Sequence, residues 1–161
     1  MRFLTCRRMI EIRRLYISPG HNFFGHYGAA PGEHPTIEVP RVHCVAGCGI
    51  EGDRFFDFKP GYKGQVTFFA WEEYERLCGL FGVQDKSPGV FRRNIITAGV
   101  DLNSLIGAEF EIQGVLFSGT AECSPCEWMD AAFHPGAMEA LRNRGGLRAR
   151  VLSDGTIEAT A

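Results

Sequence analysis

Two short runs of mostly apolar residues flank the dipeptide Gln113-Gly114, and this arrangement constrains the fold more than any other local feature. The runs are EFEI at 109–112 and VLFSGT at 115–120. A two-residue link that contains glycine supplies the positive backbone angles of a tight turn, so the segment predicts a β-hairpin. The end of the chain, LRARVLSDGTIEAT, predicts a second hairpin that turns through Asp154-Gly155.

Most of the remaining pattern also predicts short strands. Apolar and β-branched runs of strand length occur at 9–17, 38–45, 65–70 and 90–97. A helix is expected over 71–81, because four residues recur there with helical spacing and share one face. These residues are Trp71, Tyr74, Cys78 and Phe81. Cys78 is therefore expected to be a core thiol.

Only short helical turns are expected elsewhere, one before Gly107 and one or two within 127–143, where Pro135 is suited to a first helical turn. Short strands with few inserted helices favour a mainly β fold over a parallel α/β sheet. They indicate a closed or nearly closed β-barrel.

The size of the chain indicates one domain. Its 161 residues are enough for one substantial core, and no apolar run approaches the roughly 20 residues that cross a bilayer. The apolar patch before Arg7 is too short for a secretory signal, so a cytoplasmic location is expected. The strand pattern begins at Met9, which predicts that residues 1–8 are a ragged extension and that Met9 is the true start.

The basic residues are biased towards arginine. The formal net charge is -2, which argues against general binding of nucleic-acid polymers. The 17 basic residues comprise 14 arginines and three lysines. The fixed fork of donors on arginine suits phosphate and carboxylate, so the bias indicates an anionic ligand.

Two arginine-containing segments have strand-like alternation. In FRRNI, Arg92 and Asn94 are expected on one face and Arg93 on the other, so one of the two arginines must face inward or into a cleft. In GLRARVL, Arg148 and Arg150 share the face opposite the apolar residues. For such a strand, a solvated outer face is the simplest interpretation.

Convergence on a phosphate is the functional alternative for these arginines. It would bring together Arg54 of EGDRFF, Arg92 or Arg93, and Arg148. The sequence leaves this question open, since Arg54 has an equally simple interpretation as the ion-pair partner of a neighbouring acid.

The segment ECSPCEWMD places Cys123 and Cys126 at Cys-x-x-Cys spacing, and three uses of the pair stay open. Together with Cys44 and Cys48, the pair matches a four-cysteine zinc site, although a long separation lies between the two pairs. A thioredoxin-like redox pair lacks the expected βαβ context. The third use is one thiolate as a soft ligand to a cofactor metal.

Histidines give a weaker signal. His21 and His26 lie in the Gly-containing loop segment HNFFGHYG without a carboxylate at ligand spacing. They are interpreted as surface or substrate-contact residues and not as metal ligands.

Four motifs, in order, resemble the MOSC domain, which is named for the C-terminal domain of molybdenum cofactor sulfurases. The motifs are GIEGDRFF, FRRNIITAGVDLNSLIGAEFEI, SPCEWM and GGLRARVLSDGTI. The resemblance extends from about residue 10 to residue 158, so the whole chain, 1–161, is interpreted as a single MOSC-like domain. It implies a MOSC-type β-barrel with small inserted helices.

The resemblance also implies roles for individual residues. The family's cysteine, which binds molybdenum or transfers sulfur to it, corresponds to Cys126, the residue after Pro125. Cys123 is a departure from the family pattern and is interpreted as a second sulfur ligand, a resolving thiol or an incidental residue. The anchors implied for the pterin phosphate are Arg54, Arg92, Arg93 and Asn94, with Arg148 as a further candidate.

The function implied by the resemblance is binding of a molybdenum cofactor and reduction of N-hydroxylated compounds, with electrons from a partner protein. One alternative is a sulfur carrier that holds a persulfide on Cys126. Pyridoxal phosphate would then belong to a separate cysteine desulfurase partner and is not expected on this chain. A zinc-stabilised binding module is the alternative of a different class.

Overall fold

The computed structural model describes residues 10–22 and 33–160, so the predictions for residues 1–9 and for His26 lie outside the described residues. The strands are β1 (Glu11–Ile17), β2 (Ile37–Glu38), β3 (Arg41–Val45), β4 (Gly49–Ile50), β5 (Val66–Ala70), β6 (Ile95–Ala98), β7 (Glu109–Ile112), β8 (Val115–Glu122), β9 (Leu147–Val151) and β10 (Gly155–Glu158). The helices are α1 (Trp71–Phe81), α2 (Glu127–Ala132) and α3 (Ala137–Ala140), with 3-10 helices at Pro88–Phe91 and Leu102–Leu105.

The described strands form two sheets. One has seven strands in the order β2-β1-β6-β5-β9-β8-β7, and the other has three in the order β10-β3-β4. The pair β5 and β6 is parallel, and the other recorded pairs are antiparallel. The prediction of a mainly β fold with short helices is confirmed. The end strands β2 and β7 do not pair with each other among the described residues, so a closed barrel stays a prediction.

The first hairpin is confirmed. Strands β7 and β8 pair from Ile112 and Val115 outward to Glu109 and Ser118. Gln113 and Gly114 have φ values of 50° and 84°, the two positive angles that this turn requires.

The second predicted hairpin is wrong. Strand β10 pairs with β3, where Gly155 lies opposite Cys44, and not with β9. The chain leaves β9 at Leu152, whose N–H donates to the carbonyl of Leu116. Asp154 then accepts a hydrogen bond from the N–H of Ala46, at the turn between β3 and β4. This contact directs the chain to the second sheet.

The strand predicted at 90–97 begins later than expected. Its first two residues belong instead to the 3-10 helix Pro88–Phe91. Ser87 caps this helix by accepting a hydrogen bond from the N–H of Gly89. Arg92 follows with a left-handed φ of 59°, and β6 starts at Ile95. The alternation expected for Arg92, Arg93 and Asn94 is therefore wrong, because these residues precede the strand. The strand predicted at 38–45 is likewise divided, around Pro40.

Apolar residues cover both faces of the large sheet. Neighbouring residues of β5 point to opposite sides, so Phe68 lies in the core shared with the second sheet, whereas Phe69 lies in the core beneath the helices. Helix α1 covers the second core with Leu77 fully buried and Cys78 partly buried. No helix in the described part of the chain is long and apolar enough to cross a membrane.

Alkaline pH is expected to destabilise the core around Cys44. Burial raises the pKa of this thiol to about 12, from an ordinary 9.0. The folded state favours the neutral thiol, so this contribution is complete below pH 9.0 and is lost as the pH rises towards about 12. Denaturant titrations should show a steeper loss of unfolding free energy over this range in the wild type than in Cys44→Ala. Parallel profiles would contradict the prediction.

Candidate functional site

One cavity of about 210 Å³ brings together all the site residues predicted from the sequence except Asn94. The predicted residues that line it are Arg54, Arg92, Arg93, Cys123, Cys126 and Arg148, and the others are Phe55, Tyr62, Gly64, Thr67 and Ser124. They come from strand β5 and the loop before it, the residues before β6, the link between β8 and α2, and strand β9. The convergence that the sequence left open is therefore present.

The two cysteines of the cavity differ in accessibility. Cys126 directly precedes α2 and is partly exposed, while Cys123 is only 5% exposed. The N–H of Cys123 donates to the carbonyl of Gly146 at 2.8 Å, which fixes the end of β8 against the start of β9. Both thiols are free. Cys126 is the more accessible nucleophile or ligand.

The four-cysteine zinc site is not assembled. Cys44 is buried on β3 of the three-stranded sheet, whereas Cys123 and Cys126 follow β8 of the seven-stranded sheet. No group of three or more His, Cys, Asp or Glu side chains within 10–22 and 33–160 is arranged to hold a metal ion. The described residues therefore give no support to the zinc-stabilised alternative.

Arg92 uses its guanidinium to hold neighbouring loops together. Its two terminal nitrogens donate to the carbonyls of His34 and Gly20 and to the hydroxyls of Thr36 and Ser18, at 2.7–3.2 Å. Burial lowers the pKa of Arg92 to about 10. Arg92 is therefore part of the cavity wall, and its guanidinium has few N–H donors left for a ligand.

Arg54 forms a buried ion pair beside the cavity. One terminal nitrogen donates to Asp53 Oδ1 at 3.2 Å, the other donates to the carbonyl of Arg92 at 3.0 Å, and the guanidinium lies over the ring of Phe55. Burial lowers the pKa of Arg54, and the neighbouring carboxylate of Asp53 opposes that shift. A guanidinium has five N–H donors, so Arg54 retains capacity for an anionic ligand.

Arg148 is the arginine of the cavity with the most donors available. The apolar face of β9 is confirmed, with Leu147, Ala149 and Val151 buried. Arg148 is half-buried and lines the cavity, so the simple outer-face interpretation is wrong for it. Within the described residues, its guanidinium makes no recorded hydrogen bond or ion pair.

Two neighbours of Arg148 differ from it in how they relate to the cavity. Arg150, on the same face of β9, instead donates to the carbonyl of Gly61 at 3.0 Å and lies outside the cavity lining. Gly64 packs close to the stem of Arg148, where an added Cβ would meet its Cδ at 3.4 Å.

Asn94 lies outside the cavity and organises the strands behind it. Its side-chain oxygen accepts hydrogen bonds from the N–H and the hydroxyl of Thr67, at 3.0 and 3.1 Å. Its amide nitrogen donates to the carbonyl of Tyr16 at 3.1 Å. This buried side chain therefore supports Thr67, which does line the cavity.

Aromatic residues that the sequence interpretation passed over form one rim of the cavity. Phe55 and Tyr62 line it, with ring centroids 5.7 Å apart. His21 lies edge-on to Phe55 at 4.9 Å, and burial lowers the pKa of its imidazole. The aromatic run after Asp53 was the available signal, but strand or turn patterns alone assign no site to it.

Comparison with known proteins identifies the family. Residues 53–161, more than half of the chain, match the MOSC domain. This chain belongs to the MOSC domain family. The match includes every cavity residue named above and excludes β1 to β4. No curated protein matches the sequence significantly.

Solved structures show the same fold for the MOSC protein. The YuaD protein of Bacillus subtilis aligns with a TM-score of 0.70 and 19% identity, over 94% of this chain and 92% of that one. YiiM from Geobacillus stearothermophilus aligns with a TM-score of 0.65 and 16% identity, over 92% and 71%. YiiM from Escherichia coli aligns with a TM-score of 0.60 and 21% identity, over 92% and 67%. At these identities the likeness concerns the fold alone.

Proposed function

We propose that this MOSC protein binds a molybdenum cofactor in the arginine-lined cavity and reduces N-hydroxylated compounds with electrons from a partner protein. The observation that carries the proposal is that an accessible thiol, Cys126, lines the same cavity as the guanidinium groups of Arg54 and Arg148. Family membership supports it independently, since MOSC domains are associated with this cofactor.

The donor set fits such a cofactor. A thiolate is a soft ligand suited to a cofactor metal, and guanidinium groups suit its phosphate. The cavity of about 210 Å³ lies below the range of roughly 300–1,000 Å³ for sites that enclose a whole small ligand. The cavity would therefore enclose only part of the group and leave the rest at its mouth.

Each residue then has a distinct role. Cys126 supplies the metal ligand, and Arg148 and Arg54 donate charge-assisted hydrogen bonds to the phosphate. When bound, the cofactor supplies the two-electron chemistry that removes the oxygen atom. In the overall reaction an N-hydroxylated compound takes up two electrons and two protons and yields the reduced nitrogen compound and water. A separate redox protein provides the electrons.

The variant Arg148→Gln tests the phosphate contact. It removes the arginine with the most free donors, so we expect cofactor binding to weaken by about 10- to 100-fold, as for the loss of one or two hydrogen bonds to a charged group. Cofactor content and affinity should be measured on purified protein. Arg150→Gln is the matched control, because this neighbour on β9 lies outside the cavity and its loss should leave binding within about twofold.

Equal losses of cofactor affinity in Arg148→Gln and Arg150→Gln would mean that Arg148 acts through general charge and not through contact in the cavity. Unchanged affinity in both variants would show that Arg148 does not contact the cofactor.

A second function, sulfur transfer, is favoured by the presence of two thiols in one cavity. In this reaction the Cys126 thiolate attacks the outer sulfur of a persulfide on a cysteine desulfurase. The new sulfur–sulfur bond leaves a persulfide on Cys126 and returns the thiol of the desulfurase. Incubation with a desulfurase, pyridoxal phosphate and cysteine should add the mass of one sulfur atom at Cys126. Absence of this adduct would eliminate the alternative.

A further inference from the structure

Arg93 is buried and uses almost all of its donors on the protein backbone. Its Nε donates to the carbonyl of Gly145 at 3.1 Å, and its Nη1 donates to that of Phe91 at 3.2 Å. Its Nη2 donates to the carbonyls of Cys123 and Ser124, at 3.1 and 3.5 Å. Four of the five donors are therefore engaged, which leaves little of this guanidinium for an external phosphate.

Gly145 packs closely against the cysteine segment. A Cβ at this position would clash with the carbonyl oxygen of Cys123 and with the ring of Pro125. The N–H of Gly145 donates to Glu122 at 3.2 Å, and the carbonyl of Gly146 accepts from Cys123 at 2.8 Å. The segment that leads to Cys126 is thus held by a buried arginine and by a closely packed glycine.

We propose that Arg93 and Gly145 are positioning residues that hold the segment Cys123–Cys126 in place. Their contacts present Cys126 to the cavity and keep Cys123 buried. This assignment differs from the phosphate anchor that the resemblance implies for Arg93. It rests on the proposed function only in naming Cys126 as the reacting thiol.

The geometry of the guanidinium explains why arginine is needed. One planar fork bridges the carbonyl of Cys123, within the segment, and the carbonyl of Gly145, on a separate part of the chain. Lysine retains the positive charge but has a single ammonium on a flexible stem. Arg93→Lys therefore removes most of the bridging contacts without removing the charge.

Alkylation of individual cysteines tests the inference in full-length protein without a cofactor. Folded protein is treated with iodoacetamide, and the rate at each cysteine is followed by mass spectrometry. In the wild type, Cys126 should react much faster than Cys123 and Cys44, which are both buried. In Arg93→Lys and in Gly145→Ala, we expect the rate at Cys123 to rise at least about 10-fold, because the segment opens locally.

Two comparisons separate positioning from general destabilisation. Cys44 reports global opening, since it lies in the core away from the segment, and its rate should stay unchanged in both variants. Arg148→Gln is a control that lines the same cavity without contacting the segment's backbone, and it should keep Cys123 protected. Should Arg93→Lys fail to fold, Gly145→Ala carries the test, because it disturbs the segment without touching a charge.

Unchanged protection of Cys123 in Gly145→Ala and Arg93→Lys would overturn the inference. A parallel rise at Cys44 would also overturn it, because both residues would then serve only global stability. These rates do not depend on cofactor binding. Failure of the cofactor proposal would leave them as expected, and failure here would leave the cofactor proposal standing.

Discussion

Replacement of Cys126 by serine is expected to abolish retention of the cofactor, whereas Cys123→Ser should leave most of it. Both cysteines line the cavity, but Cys126 is partly exposed and Cys123 is only 5% exposed. Loss of the thiolate would remove the soft metal ligand of the proposed function, and we expect cofactor affinity and reductase activity to fall by at least about 100-fold. Metal content, pterin content and reduction of an N-hydroxylated compound should be measured on the same preparations.

Cys123→Ser is the matched control for this prediction, because it makes the same atom change three residues earlier. A decrease of about 10-fold or less is expected, at or below the low end of the roughly 10- to 100-fold range for residues that surround a metal site without binding the metal. Equal losses in the two variants would show that the thiols act as a pair. Full retention of the cofactor in Cys126→Ser would exclude Cys126 as the metal ligand.

Asp53→Ala is expected to destabilise the folded protein by about 3–5 kcal/mol, the range for loss of one partner from a buried ion pair. The Asp53 side chain is fully buried, and that of Arg54 is 9% exposed. Asp53 also accepts hydrogen bonds from the N–H groups of Ser18 and Phe55, at 3.0 and 3.2 Å. The substitution therefore leaves a buried guanidinium and two backbone donors without this carboxylate.

Urea denaturation followed by circular dichroism measures the effect of Asp53→Ala. Glu51→Ala is the control, since Glu51 is exposed at the start of the same loop and its carboxylate makes no recorded contact with a described residue. We expect this control to change the stability by no more than about 0.5 kcal/mol. If Asp53→Ala has an equally small effect, the ion pair does not organise the cavity wall.

Local patterns predicted the parts of the fold that local contacts determine. The hairpin at Gln113-Gly114 and helix α1 were confirmed because turn angles and helical spacing are properties of neighbouring residues. The pairing of β10 was predicted wrongly because Asp154 contacts Ala46, a residue far away in the sequence. No pattern around Asp154-Gly155 carries that information.

The residues that line the cavity were predicted better from the sequence than the contacts that they make. The motifs named Arg54, Arg92, Arg93 and Cys126, and the structure brings them together. Sequence motifs do not show which donors are already used by the protein. The carbonyl groups around Arg93 come from separate segments, and only the folded chain reveals that Arg148 retains the most donors.

The most direct test of the central claim is the molybdenum and pterin content of the wild-type protein purified from a host that makes the cofactor. Because Cys126, Arg54 and Arg148 line one cavity, we expect molybdenum and pterin to co-purify with the protein in equal amounts. At full occupancy the amounts should approach one molybdenum and one pterin per chain. Protein that carries neither molybdenum nor pterin would contradict the proposed function.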